Sequence, residues 1–177
     1  MKQKRSDYIL NKNIHLYINL NLILLANTYT QLIIHAVFAI KHRAAVIDKE
    51  WQHELFGYMG ETLNKMGHRN LIVNGVSDHV HILFGMKPTL ALSDTMRDVK
   101  ANASKWLNES GKLKHRFEWQ DGYGGFSVSR THLDAVFKYI QTQEIHHKTV
   151  MFREEYLKLL KKNDVIFDDK WIFQDLI

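Results

Sequence analysis

Cysteine is absent from the 177 residues. That removes disulfides, thiolate zinc sites and cysteine nucleophiles together, and it fits a reducing cytoplasm. Proline occurs once, at Pro88, where it breaks the pattern between two regular stretches. No apolar run suits a membrane span: the stretch from Ile14 to Leu25 is short and interrupted by Asn19 and Asn21. A strong positive surplus is missing as well. The formal net charge is +5, but Lys2, Lys4, Arg5 and Lys12 against Asp7 put +3 of it in residues 1–25, leaving +2 for the other 152. Any nucleic-acid contact must therefore come from local clusters rather than from a basic surface.

Residues 1–25 set asparagine among leucine and isoleucine behind a basic start. Secretory signals share such a start, but no small-residue cleavage site follows here. The stretch is expected to be a poorly ordered or non-native extension. Residues 26–177 are expected to form one domain, long enough to bury a core without a staple. No internal repeat, low-complexity tract or linker interrupts them.

Leu32, Ile34, Ala36, Phe38 and Ile40 alternate against Gln31, Ile33, His35, Val37 and Ala39, which predicts a period-two strand. Asp48 is placed to cap a helix with an apolar stripe of Trp51, Leu55, Tyr58, Thr62 and Met66, ended by Gly67. Leu71–Val76 and His79–Met86 read as two strands joined tightly at Ser77 and Asp78, hence an antiparallel hairpin. A second helix is expected to about Asn108, with Leu92, Met96, Val99, Ala103 and Trp106 inward. A short strand at Phe126–Val128, a helix from about Thr131 to His147 and a last helix from about Arg153 to Lys162 complete the pattern. The order predicts an α+β, ferredoxin-like (RRM-like) antiparallel sheet with helices on one face, the other face left free for a site.

In the third strand, alternation puts Val80, Ile82 and Phe84 on one face and His79 and His81 on the other. Two imidazoles at that spacing can hold one divalent metal, although the same pattern suits surface or hydrogen-bonded histidines. Tyr139 and Gln143 lie four apart, one turn apart on a helix face. Singly, Tyr139 is more often a core or rim residue and Gln143 a solvated one. Jointly they suit phosphodiester chemistry: a metal neutralises the phosphate and a tyrosine beside it attacks to form a covalent intermediate.

Further motifs follow in order: Tyr29-Thr-Gln-Leu-Ile-Ile-His-Ala-Val-Phe-Ala39, Asp78-His-Val-His-Ile-Leu83, Lys100-Ala-Asn-Ala-Ser-Lys105, Trp119-Gln-Asp-Gly-Tyr-Gly124 and Tyr139-Ile-Gln-Thr-Gln-Glu144 with His146 and His147 after it. Over residues of about 29–173 the chain resembles the single-tyrosine HUH transposases of the insertion sequence 200/605 type, REP-associated relatives included. The departure is the extension 1–25, since such proteins usually begin near Ala26–Tyr29. The resemblance implies His79, His81 and Gln143 as ligands of magnesium or manganese and Tyr139 as the nucleophile. It implies a DNA transposase that nicks single-stranded DNA with hairpin ends, holds the 5′ end on Tyr139 and frees a 3′ hydroxyl. It further implies a homodimer in which the tyrosine helix of one subunit can complete the other's site. From the broken apolar run and the absence of cysteine, no membrane partner and a cytoplasmic location are expected. Gly122, Gly124 and Gly125 would suit a hinge before that helix, or simply a turn.

Candidate DNA contacts are Lys100, Lys105, Lys112, Lys114 and Arg116 for phosphates, and Trp119, Tyr123 and Phe126 for stacking. Taken singly, each reads more readily as a solvated charge or a core aromatic than as a contact. His35, Asp78, His146 and His147 are candidate neighbours of the site. Rival readings are a domesticated REP-associated nickase and a ferredoxin-like single-stranded nucleic-acid binding protein without catalysis. A histidine-triad hydrolase is disfavoured, because Leu83 stands where its third histidine would be.

Overall fold

The computed structural model describes residues 29–41, 46–147, 151–168 and 172. The extension expected over residues 1–25 lies outside them. The chain divides into units 1–30 and 31–177, and the elements below all belong to the second. In chain order they are β1 (Ile33–Ala39), α1 (Gln52–Lys65), β2 (Arg69–Gly75), β3 (His79–Gly85), α2 (Leu92–Glu109), β4 (Gly124–Ser127), a 3-10 turn (Arg130–His132), α3 (Leu133–Gln141), α4 (Gln143–His146) and α5 (Phe152–Lys162).

The four strands form one antiparallel sheet in the order β2-β3-β1-β4. This is the α+β layout expected from the element order. Its two central strands are β3 and β1, and their alternation assigns side chains to two layers. Ala36, Phe38, Val80, Ile82 and Phe84 pack with Leu55, Met59 and Leu63 of α1 and Met96, Val99 and Ala103 of α2. The opposite face is not left free. Val37, Ala39 and Phe126 pack there under Phe152, Tyr156 and Leu160 of α5, a second core cluster.

Three local expectations shift. Asp48 does not cap α1; its carbonyl accepts from Trp51 and Gln52 and its Oδ1 accepts from the Glu50 amide, organising the turn ahead of the helix. The buried stripe of α1 runs through Leu55, Met59 and Leu63, while Tyr58, Thr62 and Met66 are only half-buried. In α2, Leu107 takes the inward place expected of Trp106, whose ring instead stacks on Tyr58 at 5.5 Å. Gly67 ends α1 as expected, at φ 86°, a conformation that costs side-chain-bearing residues.

Gly124 and Gly125 are strand residues, paired with Val37 and Ala36 of β1. A Cβ on Gly124 would stand 2.8 Å from the Tyr156 ring. Glycine there lets α5 lie close on the sheet, so a packing demand accounts for that glycine without a hinge.

Candidate active site

β3 carries His79 and His81 on its second face, and both are fully buried. His79 Nδ1 donates to Asp78 Oδ1 at 2.7 Å, and His81 Nδ1 pairs with His35 Nε2 at 3.0 Å. His35 shares their face because Leu83 of β3 and Phe126 of β4 flank it in register. With each Nδ1 engaged, the rings are oriented and each Nε2 is left without a hydrogen-bond partner. That is the arrangement by which outer partners aim imidazole ligands. Burial lowers His79 to about 4 against the opposing Asp78 bond, and burial with the neighbouring His81 lowers His35 to about 3.

Those two shifts set a pH dependence. The folded values lie below the unfolded value near 6.5, so the stability concerned is fully present above pH 6.5 and is lost as pH falls toward the folded values. At pH 5 each histidine is expected to cost about 2 kcal/mol relative to pH 7.5. Urea denaturation with a chelator at the two pH values reads this directly. Equal midpoints would mean that these imidazoles are not buried neutral.

The helix after β4 is not continuous. α3 ends at Gln141, and Thr142 sits at φ −102°, ψ 20° before α4 begins at Gln143. Asn74 of the edge strand donates from Nδ2 to the carbonyls of Ile140 at 2.8 Å and Gln141 at 3.2 Å, satisfying two of the carbonyls that a helix end leaves free. Tyr139 thus reaches the site from a tethered helix end, its ring 5.8 Å from His81 and 6.2 Å from His35. Gln143 is fully buried, with no hydrogen-bond partner for its Oε1.

Glu155, which the sequence reading passed over, stands among all of these. Phe152, Glu155 and Tyr156 share the buried face of α5, three and four residues apart, and Phe152 stacks on His79 at 4.1 Å. Glu155 Oε1 accepts from the Tyr139 hydroxyl and from Gln143 Nε2, the latter at 3.0 Å. Its Oε2 pairs with His147 Nε2 at 2.8 Å and lies 3.5 Å from His79 Nε2 and 3.6 Å from His81 Nε2. Burial alone would raise this carboxyl, but the hydrogen bond from His147 and the nearby His81 imidazole hold it well below the usual carboxylate range. Burial, then the negative Glu155, push the Tyr139 phenol well above its ordinary value. His146 is nearby, its Nε2 3.6 Å from Glu155 Oε1 and its ring 5.5 Å from Tyr139.

A cavity of about 500 Å³ opens beside Tyr139, lined among others by His35, Phe126, His132, His146, Lys158 and Lys162. A second, of about 370 Å³, reaches Asp78 and His147 from another side. None of the lysines proposed for DNA from the sequence lines either. Lys100 donates to the carbonyls of Gln120 at 2.6 Å and Gly122 at 2.7 Å. Lys112 pairs with Glu54 at 3.1 Å and Arg116 with Glu118 at 3.6 Å, whereas Lys105 is exposed on α2. Trp119 is 8% exposed and packs edge-on against Phe38 and Phe117, and Tyr123 is half-buried against the same core.

Lys100→Met keeps the aliphatic stem and removes two charge-assisted bonds to the 120–122 loop. It is expected to cost about 1–3 kcal/mol in urea denaturation. Unchanged stability with weakened DNA binding would return Lys100 to the DNA-contacting set.

Among the described residues no helix is long and apolar enough to cross a membrane. The profile of the family described as "Transposase IS200 like" matches residues 28–143, well over half of the chain. Two solved structures share the fold. One is a candidate transposase from Deinococcus radiodurans R1, 21% identical, with 66% of this chain and 94% of that chain covered and a TM-score of 0.54. The other is a REP-associated tyrosine transposase bound to a REP hairpin, 13% identical, with 85% and 96% covered and a TM-score of 0.53. No curated protein matches significantly. The four-stranded antiparallel sheet, its helices and the matched span agree, and the chain belongs to the IS200-like transposase family.

Proposed function

We propose that this chain cleaves and rejoins single-stranded DNA through a covalent 5′-phosphotyrosine on Tyr139, with magnesium or manganese held by His79, His81 and Gln143. The observation that carries the reading is the set of buried atoms without hydrogen-bond partners, His79 Nε2, His81 Nε2 and Gln143 Oε1, on residues gathered around Glu155 and the Tyr139 hydroxyl. Buried polar atoms are otherwise almost always satisfied. Neutral imidazoles and an amide oxygen suit a divalent ion. When bound, such an ion would supply positive charge against the scissile phosphate.

The chain's own residues do the rest. The Tyr139 oxygen bonds to phosphorus as the bond to the 3′ oxygen breaks. The phenol loses its proton and the departing 3′ oxygen gains one. The bond energy is kept in the phosphotyrosine, so the reverse step rejoins the strand. In the state described here Tyr139 is held protonated and fixed on Glu155. Ionisation therefore has to accompany arrival of substrate and cation. Lys162 and, one turn before it, Lys158, which pairs with Glu154 at 2.7 Å, line the Tyr139 cavity and suit the flanking phosphates. By likeness to the relative bound to a REP hairpin, the substrate is single-stranded DNA with hairpin ends, and moving an insertion sequence by DNA transposition as a homodimer is the expected setting.

The test is incubation with single-stranded hairpins from the DNA flanking this gene, with manganese, followed by denaturing electrophoresis. Wild type is expected to give an SDS-stable adduct, and His81→Ala or excess chelator to lose it. Tight binding with no adduct on any strand would instead favour a binding-only relative.

A further inference from the structure

The ligand set in that reading is uncharged, yet the residue at the centre of the cluster is a carboxylate. Glu155 is 2% exposed. Among the described residues no lysine or arginine pairs with it; its partners are Tyr139, Gln143 and the surrounding histidines. A buried charge is ordinarily paired or bound to a metal, because leaving it alone is costly.

The spacing separates these two cases. His147 Nε2 lies at hydrogen-bond distance from Glu155 Oε2, 2.8 Å. His79 Nε2 and His81 Nε2 lie at 3.5 and 3.6 Å, beyond a good hydrogen bond. Donors about 2.1 Å from one ion stand roughly 3.0–3.5 Å apart, depending on whether the geometry is octahedral or tetrahedral. The ligand atoms of His79, His81, His147 and Glu155 all lie within 4.8 Å of one another. The two Nε2 atoms are themselves buried and without a hydrogen-bond partner, an observation independent of the carboxylate.

We propose that Glu155 is a protein ligand of the divalent metal through Oε2, and that its Oε1 positions the Tyr139 hydroxyl. This rests on the metal-dependent reading above and deepens it. One side chain on α5 then connects the nucleophile to the ion, and His147 orients the carboxylate from the other side. An anionic oxygen added to two imidazoles and an amide oxygen also hardens the site, which favours manganese and magnesium over softer ions.

Manganese affinity, measured by electron paramagnetic resonance on the full chain, tests the assignment without requiring activity. Glu155→Gln, close to isosteric, is expected to weaken binding at least roughly tenfold, toward the effect of His81→Ala. The manganese-induced rise in melting temperature should shrink in parallel. Wild-type affinity in Glu155→Gln, with His81→Ala impaired, would overturn the role of Glu155 and leave the metal reading standing. Tighter binding in Glu155→Gln would do the same, marking the carboxylate as an occupant that the ion displaces. No manganese binding by wild type would overturn both. Should the variant fail to fold, anomalous scattering from a manganese-soaked crystal of wild type decides: an ion about 2.2 Å from a Glu155 oxygen is expected, and one beyond about 3.5 Å defeats the proposal.

Discussion

Tyr139→Phe is expected to erase the covalent protein–DNA adduct while leaving the fold and hairpin binding in place. Phenylalanine keeps the ring that packs edge-on against His81, His35 and His146. Only the hydroxyl goes, and Glu155 retains Gln143 and His147 as partners. The stability cost is accordingly about 1 kcal/mol. The effect on chemistry is of another order. The other hydroxyl on that turn, Thr142, donates to the Lys138 carbonyl at 3.0 Å, and loss of a nucleophile typically costs at least about 10⁴-fold in rate. Cleavage of a labelled hairpin and adduct formation, measured together, read both parts. An adduct that persists in Tyr139→Phe would mean that another residue attacks, and the assignment of Tyr139 would fall.

The largest stability effect is expected from Phe38→Ala, a loss of about 3–5 kcal/mol. Phe38 is fully buried on a central strand, on the face that meets α1 and α2. Its ring centroid lies 4.9 Å from that of Trp119 at an interplanar angle of 81°, and Lys100 Nζ lies 5.7 Å above it. Truncation therefore opens a cavity and removes an aromatic pair and a cation–π contact as well. The same contacts anchor the 117–122 segment, which is also fixed by reciprocal bonds between Asn108 and the Phe117 backbone. Urea denaturation followed by tryptophan fluorescence measures the loss. A change below about 1 kcal/mol would show that this segment does not depend on Phe38 for its place.

What could be read in advance follows the range of the interactions concerned. The period-two pattern from His79 to Phe84 is enforced by the pleat, so the common face of His79 and His81 was fixed locally. The end of α1 at Gly67 and the start of α5 near Arg153 were equally local. Phase within a helix stripe was not. Tyr58 and Met59, or Trp106 and Leu107, are adjacent large side chains, and only the partner surface decides which one turns inward. The helix expected from Thr131 to His147 breaks at Thr142, where the helix end is held by Asn74 on a strand 66 residues away.

The amino-acid order by itself determined the α+β layout, the histidine pair on one strand face and the membership signalled by motifs in matching order. Those properties depend on backbone periodicity and on residues close in sequence. The tertiary structure alone decided that Glu155 and His147 join that pair, that Lys100 turns toward loop carbonyls, and that the second sheet face lies under α5. Burial and charge pairing are set by what packs across the sheet, and a carboxylate sixteen residues beyond Tyr139 shows its role only once α5 has folded back over the histidines.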